Sequence, residues 1–204
     1  MIKNIVFDMG QVIVKFDPRA FLNRYSISEE EKGLLQNEVF RSVEWVMMDH
    51  GVMNEDEAEI SINRRIPEHL RNIASELIHR WFEPLLIIDG IEEFIQGLKK
   101  AGYHIWLLSN AANNQPEYWS KVPVSKVFDG TLISYEVQLM KPDPAIYHYF
   151  TEKFGLKADE CLFIDDNPMN VEAAIQCGWQ GIVFHGDTEE LIQKTSKLGI
   201  QCFI

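Results

Sequence analysis

Short apolar runs recur along the chain and stop abruptly at small or acidic residues. Ile5, Val6 and Phe7 form the first, which ends at Asp8 and Gly10; similar runs fall at 105–108, 162–164 and 182–184. An unbroken run of this length suits a strand buried on both faces, as in a parallel sheet covered by helices. Between the runs the period changes. Ile91, Phe94, Ile95 and Leu98 stand at i, i+3, i+4 and i+7, one stripe of a helix, and Gly102 follows as a stop. Asp143-Pro144 opens a helix whose Ile146, Phe150 and Phe154 share a face before Gly155. Asn167 and Pro168 supply the N-cap and first turn of another, closed by Gly178. Strands alternating with helices in this way predict an α/β fold, a doubly wound parallel sheet.

From about residue 17 to 84 the strand signal disappears. Asp17-Pro18 opens one helix, Ser28 with Glu31 reads as a capping box for a second, and Asn54 with Glu57 reads similarly for a third. Pro67 begins a fourth, with Leu70, Ala74, Leu77 and Trp81 along one side. The expected organisation is therefore a core of residues 1–16 and 85–204 with a small inserted helical cap, 17–84. Such an insert would sit over the carboxyl ends of the strands, where open α/β sheets bind ligands.

The 204 residues are 46% apolar and 25% charged, enough to bury an ordinary core. Net charge is −12, from 19 basic against 31 acidic residues, with no Lys/Arg stripe. A polyanion would meet repulsion over most of the surface, so nucleic acid is not an expected partner. The acidity still permits a small anionic substrate, because a local cation inverts the field at one site. No apolar run is long enough for a membrane span, and the opening run is too short for a signal-peptide core. The expected setting is cytoplasmic, without membrane attachment. Cys161, Cys177 and Cys202 form no CxxC pair and are read as buried structural thiols.

Four segments at the ends of strands carry candidate chemistry: Asp8-Met9-Gly10, Ser109-Asn110, Lys141-Pro142-Asp143 and Asp165-Asp166-Asn167. Each alone reads equally well as a turn or a helix cap. Together they are the parts that phosphoryl transfer needs. An attacking carboxylate and a phosphate dianion repel each other, and a hard divalent cation such as Mg²⁺, held by other carboxylates, cancels that repulsion. A lysine and small donors at a strand tip then hold the remaining phosphate oxygens.

In order and spacing the four segments resemble the motifs of the haloacid dehalogenase-like (HAD) hydrolase superfamily, across almost the whole chain. FIDDN is similar to its sugar-phosphate phosphatases, and DMGQV resembles the DLGNV start of bacterial glucose-1-phosphate phosphatases. The resemblance implies a Mg²⁺-dependent phosphatase acting on a small phosphorylated metabolite, a sugar phosphate, with a sugar 1-phosphate as the narrower expectation. Asp8 would be the nucleophile, forming an aspartyl-phosphate. The metal would be held by Asp8, the Gly10 carbonyl and Asp166, with Asp165 a direct or water-mediated partner and Asn170 orienting the outer shell. Ser109 and the Asn110 backbone would bind the phosphoryl group, and Lys141 would offset its charge.

One position departs from the pattern. Most phosphatases of this superfamily carry a second Asp, a general acid and base, where this chain has Gly10. General acid–base catalysis is typically worth ~10²–10⁴-fold. Without it, rates should depend steeply on the leaving group, and aryl and anomeric phosphates should be preferred; otherwise the cap supplies the acid, with His50 the first residue to test. Gly10 also keeps two alternatives open: a haloacid dehalogenase, whose halide leaves without a proton, and a non-catalytic ligand-sensing protein of the same fold. The adjacent Asp165 and Asp166 argue against the first, and the intact Asp8, Ser109 and Lys141 against the second. In the cap, Trp45, Met47 and Met48 read as core, and Arg64 and Arg65 as a solvated helix face. Asp49 and His50 close the segment that starts at Trp45, before Gly51, where the resemblance implies that the cap approaches the active site.

Overall fold

The computed structural model describes residues 1–203. The chain begins with strand β1 (Asn4–Phe7). Five helices follow: α1 (Pro18–Leu22), α2 (Glu29–Leu35), α3 (Val43–Asp49), α4 (Glu55–Ile62) and α5 (Arg71–Arg80). The remainder alternates: α6 (Ile91–Lys100), β2 (His104–Ser109), α7 (Gln115–Trp119), β3 (Gly130–Ile133), α8 (Ser134–Val137) and α9 (Pro144–Phe154). It closes with β4 (Cys161–Asp165), α10 (Pro168–Gln176), β5 (Gln180–Val183) and α11 (Thr188–Lys197).

The strands form one parallel sheet in the order β3-β2-β1-β4-β5. Side chains alternate across it, as the pleat requires. Ile5, Phe7, Ile105, Leu107, Leu162 and Ile164 pack on one face with Phe94 and Leu98 of α6 and Leu191 of α11. Val6, Trp106, Leu108 and Phe163 pack on the other with Ile146 and Phe150 of α9 and Ala173 and Ala174 of α10. Both faces are covered, which is why the strands read as continuous apolar runs. This is the expected doubly wound α/β arrangement.

Strand β3 was not legible as an apolar run. Its sequence, GTLI, lies at the sheet edge with only Leu132 and Ile133 buried. Helix α3 was also missed. Its N-cap Ser42 accepts from the Trp45 amide, but no Glu or Gln stands at the third position to complete a capping box. Both predicted boxes, Ser28 with Glu31 and Asn54 with Glu57, are formed. Pro67 leads into a 3₁₀ turn, Glu68–Leu70, before α5 starts. Of the cysteines only Cys161 is buried; Cys177 and Cys202 are half-buried, and all three are free thiols.

Arg65 is not a solvated side chain. Its guanidinium spans both Glu44 carboxylate oxygens at 2.7 and 2.9 Å and also reaches Glu38 at 2.6 Å. Ser61 donates to Glu44 as well, at 2.7 Å. Glu44 is 4% exposed, so this pair ties α3 to the end of α4 from inside. Among the described residues no helix is long and apolar enough to cross a membrane.

Candidate active site

Three of the candidate residues stand where neighbouring strands end: Asp8 just beyond β1, Ser109 closing β2 and Asp165 closing β4. The parallel register brings their tips level, because Phe7 pairs with both Leu107 and Ile164. Lys141, expected at the end of a strand, enters instead from the loop between α8 and α9, because α8 follows β3 directly. Its ammonium lies 2.8 Å from Asp8 Oδ1 and 2.7 Å from Asp165 Oδ2, and it donates to the Leu108 carbonyl at 3.1 Å. One buried cation thus joins the ends of all three strands. Asn110 fixes that loop by accepting from the Lys141 amide and donating to its carbonyl, each at 2.9 Å.

Asp165 is fully buried and its oxygens are occupied. They accept from Lys141, from the Asn167 amide at 2.8 Å and from Asn170 Nδ2 at 3.1 Å. Burial pushes the Asp8 carboxyl up to about 7; Lys141 opposes the rise and the charge of Asp165 adds to it. For Lys141 burial acts downward, but Asp8 and Asp165 outweigh it and hold the ammonium charged. Burial and then Asp165 also raise Asp166.

Asp8, Asp165 and Asp166 offer carboxylate oxygens that all lie within 4.8 Å of one another. Three carboxylates against one ammonium leave an excess of negative charge, and the donors are hard oxygens. That chemistry fits a hard divalent cation, with Asp8 and Asp166 open to the adjoining cavity and Asp165 behind them.

The cavity has a volume of about 380 Å³. Its floor is Asp8, Gly10, Ser109, Asn110, Lys141, Asp166 and Asn170; the facing wall comes from Trp45, Met48 and Asp49 of α3 with Ile78 and Trp81. Tyr118 of α7 closes one side. Trp81 packs edge-on to both Phe16 and Tyr118, with ring centroids 5.0 Å apart in each pair. Trp45 and Met48, read from the sequence as cap core, therefore wall the cavity too. His50 is not part of the lining; its Nε2 donates to the Gln138 carbonyl at 2.9 Å. Tyr118 and Asp49 are among the lining residues that no motif signalled, with Phe16, Ile78 and Asn114. At Gly10 a Cβ would meet nothing within 4 Å, and its φ is not among the positive ones, so nothing local demands glycine there.

The profile of the haloacid dehalogenase-like hydrolases matches residues 2–178. The chain belongs to that family. Among HAD relatives, the chain is 28% identical over 195 residues to a D-ribitol-5-phosphate phosphatase of Bacteroides thetaiotaomicron, covering 88% of this chain and 90% of that protein. It is 26% identical to the drimenol cyclase drtB of Aspergillus calidoustus over 98% of this chain, which spans only 37% of that relative's length. A HAD family enzyme of Bacteroides thetaiotaomicron, solved in complex with magnesium and inorganic phosphate, superposes with a TM-score of 0.70. That likeness covers 94% of this chain and 99% of the other at 22% identity, and speaks for the fold.

Proposed function

We propose that this HAD hydrolase is a Mg²⁺-dependent phosphatase that hydrolyses a small phosphate ester, a sugar or polyol phosphate, through an aspartyl-phosphate on Asp8. The observation that carries the reading is the Asp8–Lys141–Asp165 cluster with Asp166 beside it, at the strand tips and against the cavity. The size of that cavity suits a small metabolite. The relationship to a ribitol-5-phosphate phosphatase over most of both chains supports the substrate class. A sugar 1-phosphate is the narrower expectation, carried by the DMGQV segment.

Asp8 supplies the attacking oxygen. Lys141, fixed on Asp8 Oδ1, orients that carboxylate and offsets the charge that gathers on the phosphoryl oxygens. Ser109, 1% exposed and at the end of β2, offers its hydroxyl to the same oxygens, and the backbone of Asn110 continues the cradle. Asp8, Asp166 and the Gly10 carbonyl would hold the magnesium ion, which when bound neutralises charge between nucleophile and phosphate. Asp165, whose oxygens already take protein donors, acts in this reading by fixing Lys141 and reaching the ion through water. Asn170 keeps Asp165 in place.

Turnover of p-nitrophenyl phosphate, measured with Mg²⁺ and in excess chelator, tests the assignment. Release that requires Mg²⁺ is expected. Full activity in chelator, or halide release from a 2-haloacid in place of phosphate release, would overturn it.

A further inference from the structure

The acid that Gly10 lacks has a counterpart across the cavity. Asp49 is the last residue of α3, and its side chain lines the same cavity as Asp8 and Gly10. The turn that carries it is tied to the core by side-chain and backbone contacts. His50 Nε2 donates to the Gln138 carbonyl at 2.9 Å, and Gln138 Nε2 donates to the Gly51 carbonyl at 3.0 Å. Ser134 Oγ donates to the Asp49 carbonyl while accepting from the Ala111 amide at 3.0 Å. Gly51, at φ +73°, sits so close to the core that a Cβ would run into the Tyr135 carbonyl oxygen. Gln138 itself is held at φ 53°, a left-handed conformation that non-glycine residues rarely adopt. A strained residue at the point where cap meets core marks a position that the fold over-determines.

We propose, building on the phosphatase reading, that the Asp49 carboxyl is the general acid and base of this site. In the first step Asp8 attacks phosphorus and the bond to the leaving oxygen breaks. The leaving oxygen keeps the electron pair and takes the Asp49 proton, leaving as the free alcohol. In the second step water attacks the phosphorus of the aspartyl-phosphate and gives a proton to the Asp49 carboxylate. The Asp8–phosphorus bond breaks, and Asp8 and inorganic phosphate are released.

The surroundings favour a protonated Asp49. Burial and then the charge of Asp8 raise its carboxyl well above the usual carboxylate range, with Lys141 opposing. No hydrogen bond from the described residues contributes to holding it ionised. Its place at the carboxyl end of a helix disfavours a negative charge further. The other titratable group against it is Tyr118, itself raised well above its ordinary value by burial and then by Asp49.

The test is a leaving-group series with Mg²⁺, from p-nitrophenyl phosphate to primary-alcohol phosphates, on the wild-type protein and Asp49→Asn. The wild-type rate is expected to vary little along the series. Asp49→Asn should lose about 10²–10⁴-fold on alkyl esters and less than about tenfold on the aryl ester. Adding Gly10→Asp to Asp49→Asn should recover much of the alkyl-ester rate, since position 10 has open space for a side chain. A steep wild-type series, which needs no variant, would overturn the proposal, as would an equal loss on both ester classes. Absence of all wild-type phosphate release would instead remove the phosphatase reading beneath it.

Discussion

Replacing Lys141 by Met separates the site's electrostatics from its chemistry. The side chain is of similar length and leaves Asp8 and Asp165 facing each other without their shared cation. At an effective dielectric of about 20, each contact at 2.7–2.8 Å is worth ~6 kcal/mol before desolvation is subtracted. Breaking a buried pair from one side costs about 3–5 kcal/mol net. For a chain of this size that is a fall in melting temperature of roughly 6–20 °C. The loss has a pH signature. Asp8 already has a raised carboxyl, and removing Lys141 raises it further. A carboxyl whose folded pKa exceeds its unfolded value binds more protons when folded, so stability falls as pH rises above about 4. The penalty of Lys141→Met, measured by thermal melting in chelator, should therefore be larger at pH 8 than at pH 5. Mg²⁺ should narrow it. Phosphatase activity should fall at least ~10²-fold throughout. Equal melting penalties at the two pH values, or a shift under about 2 °C at pH 8, would refute the reasoning.

Asp8→Asn should lower phosphate release at least ~10⁴-fold with an unchanged circular dichroism spectrum, since an amide forms no acyl-phosphate; substantial residual turnover would remove Asp8 as nucleophile. Gly51→Ala places a side chain against Tyr135 at a positive φ. It should cost about 1–2 kcal/mol in urea unfolding and slow alkyl-ester turnover more than aryl-ester turnover. Arg65, and less strongly Ser61, hold the Glu44 carboxyl at about 2 against the penalty of burial. That depressed value adds stability above pH ~4.5 which is lost as pH falls towards about 2, roughly 1–3 kcal/mol given the partly open guanidinium. Urea unfolding across this range should show that loss in the wild type and not in Arg65→Met.

The core was legible because strands covered on both faces carry long apolar runs, as the inner strands β1, β2 and β4 do, while β5, at one edge, opens on exposed Gln180 and shows its signal only from Ile182. The other edge strand, β3, has no such run, and so its four residues carried no signal. Asp8, Ser109 and Asp165 were marked by where the strands stop, a property of local sequence, and Lys141 by the Lys-Pro-Asp segment that precedes α9. The cap resisted for a different reason. Asp49 and His50 are consecutive at a helix end, and one residue turns a helix by about 100°. Which of them meets the cavity depends on the phase of α3 and on its anchorage to Ser134 and Gln138, far along the chain. The same holds for Arg65, which looks solvated until Glu44 is brought beneath it by folding.

The strand order has a consequence for how the protein is made. β1 is the central strand, apolar from Ile5 to Phe7, and it leaves the ribosome before its neighbours. Asn4 pairs with His104 on one side and Cys161 on the other. At roughly 5–20 residues per second, about 8–30 s separate the synthesis of β1 from that of β4. During that interval at least one edge of the strand bearing Asp8 lacks its partner, open to mispairing with other nascent chains.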